Sequence, residues 1–302
     1  MSIVRILTLG SLAVALLIAA AGPAAAAAPR PVAIVYSLTG EASLTAPGVA
    51  GRPVRLFDRL SAGTIVEAGP GARLALAFMN GLRFEMGEGS RVKIGPQGLA
   101  SQAGPVRALP RVPPLPRLSS IAAKDRPGPR AGAVRIRAKG IEGLYPRSGA
   151  AALADGAVLR FQPIAGVRSY RIEVQDRQGR IVFRTDAESP PVEVPAGKLD
   201  PGLSYLWTVR TLDLTGAVAR GEAALVTLDE EASQAREKAR KILAAEGPDS
   251  LPLLAEIDRS LGLLLEAREE LKAAMIEKPG DSALREALAE IETLLEYEDD
   301  PG

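Results

Sequence analysis

Apolar residues alternate with others in short runs between Val32 and Ile94 and again between Leu159 and Leu228, and recur at three- and four-residue steps beyond Asp229. The alternation is clearest between Leu56 and Ile94. Thr64–Val66 is apolar and β-prone, Ala68-Gly69-Pro70-Gly71 breaks the chain, and Leu74, Leu76 and Phe78 then alternate with Arg73, Ala75 and Ala77. This period of two predicts a strand with one buried face. Asn80-Gly81 follows, the pair suited to the two positive-φ positions of a type I′ hairpin turn. Leu82, Phe84 and Met86 resume the alternation with Arg83 and Glu85 on the other face, and Val92 and Ile94 close the set after Gly87-Glu88-Gly89-Ser90. Upstream, Val32, Ile34, Tyr36 and Leu38 predict a further strand ending at Gly40, with Leu44 in a short one after it.

A second run of alternation starts at Leu159 and Phe161. Tyr170, Ile172 and Val174 predict one strand, Ile181-Val182-Phe183 its return, Val192 and Val194 a short strand, Tyr205-Leu206-Trp207-Thr208-Val209 a core strand, and Ala223–Leu228 the last. Helical spacing then predicts three helices. Glu230–Ala245 is charged and ends at Gly247-Pro248; Asp249 is placed to cap the next. Leu254, Ile257, Leu261, Leu264, Leu265, Leu271 and Met275 lie on one face of a single long helix. Lys278-Pro279-Gly280 breaks it, and Asp281 caps a third helix carrying Leu284, Leu288, Ile291 and Leu295, which makes a helical hairpin with the second.

Three stretches resemble known families. Val32–Ile94 resembles a FecR-type periplasmic domain, through the strand ending at Gly40, the Leu60-Ser61-Ala62-Gly63-Thr64-Ile65 step, Gly71-Ala72-Arg73-Leu74-Ala75-Leu76, and Asn80-Gly81 before Leu82-Arg83-Phe84. Two departures are Glu67, where that family commonly has threonine, and Asn80-Gly81-Leu82 in place of Asp-Gly-Ser. The Leu199–Val209 stretch resembles the late strand of a fibronectin type III domain, which implies a corner locked by the Tyr205 hydroxyl and a core filled by Trp207. Pro279-Gly280-Asp281 and its flanking alanines and leucines resemble part of a tetratricopeptide repeat. The expected fold is therefore mainly β with an α-helical C-terminus. It comprises a signal peptide at 1–28, a FecR-like short-strand β domain at 29–100, a Pro/Arg-rich linker at 101–135, a fibronectin/Ig-like β-sandwich at 136–228 and an acidic helical hairpin region at 229–302.

Composition narrows the chemistry. The chain has neither cysteine nor histidine, which removes disulfides, thiol nucleophiles, Cys/His zinc sites and the Ser-His-Asp arrangement together. Arg5, the apolar run Ile6–Ala21, Gly22-Pro23 and the alanines ending at Ala28 have the form of a cleavable secretory signal peptide, with cleavage expected among Ala26–Ala28. The expected location is the periplasm or the exterior, with no transmembrane helix in the mature chain. Charge is uneven: residues 101–140 hold nine basic side chains against one acidic, and residues 229–302 hold twenty acidic against nine basic.

No reactive constellation survives inspection of spacing. Ser90-Arg91-Val92-Lys93 matches S-x-x-K, but on a strand its serine and lysine face opposite ways, and the companion motifs S-D-N and K-T-G are missing. Gly87-x-Gly89 lacks the third glycine of a nucleotide loop. Glu85 and Glu88 could pair as an acid and base, but one lies on an outward strand face and the other in a turn, so both read as solvated. Tyr205 and Trp207 read as core rather than as a sugar platform. No catalytic, cofactor-binding or metal residue is expected, and no cofactor. The reading that results is a non-enzymatic binding or scaffold protein of the cell envelope. Its expected partner is an envelope protein or an anionic polymer, not nucleic acid, with the C-terminal helices as a docking face for protein. Envelope signal transduction and a carboxylate-dependent wall hydrolase are the alternatives.

Overall fold

The structure is a computed structural model that describes residues 30–114, 140–147, 150–212 and 219–296. The expected signal peptide, most of the spacer and the acidic end after Glu296 lie outside the described residues. The fold is mainly β with an α-helical C-terminus.

The first β unit is a sandwich of two five-stranded antiparallel sheets. Its strands are β1 (Pro31–Thr39), β2 (Ala42–Thr45), β3 (Arg52–Pro53), β4 (Arg59–Ser61), β5 (Ile65–Ala68), β6 (Arg73–Phe78), β7 (Arg83–Met86), β8 (Arg91–Ile94), β9 (Leu99–Ala103) and β10 (Val106–Leu109). One sheet runs β10-β7-β6-β1-β4 and the other β3-β2-β5-β8-β9. Val35, Leu74, Leu76, Phe78 and Met86 from the first sheet meet Leu44, Val66, Val92 and Ile94 from the second.

Three expectations need correction here. Residues 101–114, assigned by composition to the spacer, supply part of β9 and all of β10, one edge strand to each sheet. The prolines fall between these strands and not within them: Pro105 sits in the connecting turn, where its carbonyl accepts from the Ser90 hydroxyl and the Gly87 amide. A proline at a strand end removes no ladder hydrogen bond. The Asn80-Gly81 turn is a three-residue loop, not type I′. Only Gly81 takes positive φ, at 87°, its amide donates to Phe78, and the Asn80 side chain accepts from Leu82 N at 3.1 Å. Finally, β1 and β6 are buried on both faces. Ile34, Tyr36, Ala75 and Ala77 point away from the sandwich core into a second apolar layer, formed with the helices.

The second β unit carries β11 (Ala151–Ala152), β12 (Ala157–Leu159), β13 (Tyr170–Gln175), β14 (Ile181–Ala187), β15 (Val192–Val194), β16 (Ser204–Thr211) and β17 (Arg220–Thr227). Its sheet runs β11-β17-β16-β13-β14, and β12 and β15 pair across from it. Strand β13 alternates strictly between buried and half-buried positions. Trp207 is fully buried, and its indole N–H donates to the Pro146 carbonyl at 2.8 Å. The Tyr205 hydroxyl accepts from Asp200 N at 2.7 Å, so the expected corner is present.

Four helices follow: α1 (Glu230–Ala244), α2 (Leu251–Ser260), α3 (Leu264–Glu277) and α4 (Ser282–Glu296). Asp229 caps α1 through Ala232 N at 2.7 Å, and Asp281 caps α4 through Ala283 N at 2.9 Å. Asp249 caps nothing; it lies in a 3₁₀ turn, Pro248–Ser250, and pairs with Lys278 at 2.6 Å. The single long helix expected from Leu254 to Met275 is split at Gly262. There Leu263 N reaches Asp258 O and Gly262 N reaches Arg259 O, a Schellman ending with its glycine at φ 78°. The apolar spacing ran through this break because Leu261 and Leu263 are both buried on either side of it.

The helices do not form a free hairpin. Leu243, Leu253, Leu254 and Ile257 pack on the outer face of β1 and β6, where Ala75 and Ala77 allow close approach. Farther along, Leu56 joins Ala267, Leu271, Leu284 and Ile291 in a neighbouring cluster. Phe57, with φ at 67°, reaches both. The second β unit is tied to the same helices: Ala151 N donates to Gly262 O at 3.0 Å and Leu264 N to the Tyr145 hydroxyl at 3.1 Å.

Candidate functional site

The residues singled out by motif are not assembled into a reactive group. Ser90 is buried, with its hydroxyl on Pro105 O at 2.6 Å, while Lys93 points outward from β8. Glu85 accepts from Arg107 Nε at 3.0 Å and lies 3.8 Å from Arg73, and Glu88 is exposed in the turn beyond it. Among the described residues no group of three or more metal-ligating side chains comes together.

The ionisable groups that are brought together lie at helix contacts instead. Arg83, expected on an outward strand face, is buried beneath the helices. Its guanidinium donates to both carboxylate oxygens of Glu246, to Pro110 O at 3.1 Å and to the Tyr36 hydroxyl at 2.8 Å, and lies over the Tyr36 ring. Burial pushes the Tyr36 hydroxyl pKa up against the opposing pull of Arg83.

A second group joins three helices. Arg236 of α1 donates through Nε and Nη2 to the two oxygens of Asp258 on α2, both at 2.6 Å. Glu270 of α3 is buried beside them, and neither of its carboxyl oxygens receives a hydrogen bond from a donor. Burial first, then the negative charge of Asp258, pushes Glu270 up to about 9. At neutral pH it is therefore a protonated acid whose O–H donates to the Asp258 carboxylate. Glu266 on the same helix is also raised, again chiefly by burial. Neither cluster was legible in sequence, since Arg83, Asp258, Glu266 and Glu270 stand in no motif and their partners lie on other elements.

One open concave feature lies between the second β unit and α3–α4; another, of about 440 Å³, lies between the first β unit and the helices beside Phe57, Arg59 and Glu256. The former is a cleft of about 580 Å³ lined by Gly143, Tyr145, Arg160, Phe161, Gln162, Pro190, Pro191, Leu265, Arg268, Glu292 and Leu295. That volume is within the roughly 300–1,000 Å³ typical of small-ligand sites. Polar and apolar side chains share the lining, the polar surface being somewhat the larger, and residues from both the β unit and the helices contribute. No local pattern reveals it, because its walls come from segments far apart in the chain.

No protein-family model matches the chain, and no curated protein does. Solved structures that align with it include CopC from Methylosinus trichosporium OB3b, 22% identical over 26% of this chain and 81% of that one, with a TM-score of 0.21. The FN1–FN3 domains of chicken CNTN1 align at 10% identity over 64% of this chain, with a TM-score of 0.24, and the chain spans about half (54%) of that fragment's length. A β-glucuronidase from Ruminococcus gnavus aligns at 12% identity over 66% of this chain and 46% of its own, with a TM-score of 0.20. Scores this low carry no functional argument. The fold described above rests on strand order, register and the corner hydrogen bond.

Proposed function

We propose that this chain is an exported, non-enzymatic binding or scaffold protein of the bacterial cell envelope, which holds an envelope protein or an anionic polymer. The observation that carries the reading is the cleft walled jointly by the second β unit and the C-terminal helices. Around it, the carboxylates nominated for catalysis are engaged by arginines or left in a turn. The FecR-like pattern of Val32–Ile94 and the signal-like N-terminus support an envelope location. Among the described residues no helix is long and apolar enough to cross a membrane. The apolar faces of the helices are spent on the chain's own first β unit, so a protein partner on this region meets their charged outer side.

The test is capture from envelope extract by the tagged full chain, with both proteins and polysaccharides identified, after fractionation has located the chain. Recovery of neither class overturns the reading. Turnover of purified wall material by the parent, lost in Glu85→Gln or Glu88→Gln, would instead establish the hydrolase alternative. Envelope signalling draws on the FecR resemblance, and a deletion that leaves transcript levels unchanged removes it.

A further inference from the structure

Arg160 stands out among the enclosed arginines. Arg83, Arg236 and Arg259 each hold a carboxylate partner, at Glu246, Asp258 and Glu256 respectively. Arg160 is half-buried in the wall of the cleft, yet its guanidinium makes no hydrogen bond or ion pair among the described residues. The carboxylate that acts on it, Glu269, already accepts from Arg268 through two nitrogens and lies 3.7 Å from Lys272, so cations outnumber it here and the planar fork of Arg160 keeps its donors for a carboxylate bound in bidentate fashion.

The backbone that carries it is fixed. Arg160 N donates to Tyr145 O at 2.7 Å, and Tyr145 N to Arg160 O at 2.9 Å. Tyr145 is itself held by the Leu264 amide at the start of α3, and Pro146 by the Trp207 indole. The Arg147 guanidinium donates to the Leu294 carbonyl on α4, which ties the opposite wall to the same segment. This is a preorganised site, for which little ordering is needed on binding.

The remaining lining narrows the ligand. Arg268 is partly engaged by Glu269, through Nε at 3.0 Å and Nη2 at 2.6 Å to one oxygen, and adds positive potential. Glu292 opposes a second negative charge on the ligand. Leu265, Leu295, Pro190 and Pro191 offer apolar surface, and Gln162 is exposed with an amide able to donate and accept. We propose that the cleft binds the free carboxylate end of a short apolar peptide, with Arg160 pairing the carboxylate and Gln162 meeting a peptide group. The amide contact separates this ligand from a fatty acid, which has a carboxylate but nothing for Gln162. The inference rests on the binding reading above.

The test is equilibrium dialysis of the full chain against a pool of N-acetyl tripeptides of Leu, Ala, Val and Phe. The pool is prepared as free acids and, separately, as amides, with decanoate as a third arm. Free acids are expected to bind at least about tenfold tighter than amides and tighter than decanoate. Arg160→Gln should abolish the acid preference, Arg160→Lys should keep part of it, and Arg91→Gln, remote on β8, should keep all of it. An unchanged far-ultraviolet spectrum and melting profile establishes that each variant is folded. Equal binding of acids and amides, no binding of either at millimolar concentration, decanoate binding as tightly, or a preference retained in Arg160→Gln overturns the proposal. Such a failure with envelope capture intact removes the peptide-carboxylate ligand and leaves the cleft to another one, whereas failed capture with peptide binding intact removes the envelope partner and keeps the carboxylate site.

Discussion

Glu270→Gln should make the protein more stable at neutral and alkaline pH and flatten its dependence on pH. The charged and titratable groups around this carboxyl are Arg236 and Arg240 from α1, Asp258 from α2 and Glu266 on its own helix. With Asp258 already paired to Arg236, ionising Glu270 would put a second anion into the same dry contact. In the unfolded chain the carboxyl titrates near 4.5, and in the folded chain at about 9. Below the lower value it is protonated in both states and contributes no pH dependence. Between the two the folded chain keeps a proton that the unfolded chain releases, so stability falls as pH rises, by about 1.4 kcal/mol per pH unit. From about pH 5.5 to about pH 7.5 that amounts to ~3 kcal/mol, an order-of-magnitude figure for one group. Glutamine keeps the shape, donates to Asp258 as the protonated acid does, and does not titrate. The raised pKa of Glu266 acts in the same direction but is shared by both proteins, so it cancels in the difference. The assay is urea unfolding followed by far-ultraviolet ellipticity at both pH values. Parallel stability–pH lines for parent and variant would refute a buried, proton-holding Glu270.

Other substitutions test the packing. Gly81→Ala should lower unfolding free energy by at least ~2 kcal/mol, since φ is 87° and a Cβ would lie 2.0 Å from the Val112 carbonyl. Gly71→Ala, also at positive φ but with open space around it, should lose only about 1 kcal/mol, and equal losses in denaturant titrations would contradict the contact. Arg83→Met alone should cost about 3 kcal/mol by leaving Glu246 without its partner, and adding Glu246→Leu should recover much of that in a double-mutant cycle. Simple additivity would show that the two side chains are uncoupled. Tyr205→Phe removes one buried hydrogen bond and should cost about 1 kcal/mol, read from thermal unfolding, while the emission of Trp207 stays unchanged.

What could be read in advance was local. Strand alternation at Tyr170, Ile172 and Val174 marks β13 because one face of that strand alone is fully buried. The same alternation misled at β6, where Ala75 and Ala77 looked like the solvent side. Alanine carries no polarity to argue either way, and its small size is what lets helices pack there. Proline content hid β9 and β10, because both strands fit between prolines that stand at their ends. The Arg83–Glu246 pair joins positions 163 residues apart, and no spacing rule reaches that far. Arg160 carries no motif at all. That its guanidinium donors are unused becomes visible only once the neighbouring helices show which carboxylates are already taken, Glu269 by Arg268 among them.

The return of the helices to the first β unit also orders the events of folding. The second unit has its own core and can close soon after Thr227 is made, since all of its strands precede that point. The first unit can close its inner core early too, but the outer face of β1 and β6 must wait for Leu243, Leu253 and Ile257. Until then Ile34, Tyr36 and the Arg83 side chain face water, or whatever else is at hand. Contacts of such long sequence separation form late and slow the final step. A chain cut after Asp229 would leave that face permanently open, with an apolar surface around a cation that has lost its carboxylate, and so would favour self-association. The last quarter of the sequence thus serves as an internal chaperone for the first.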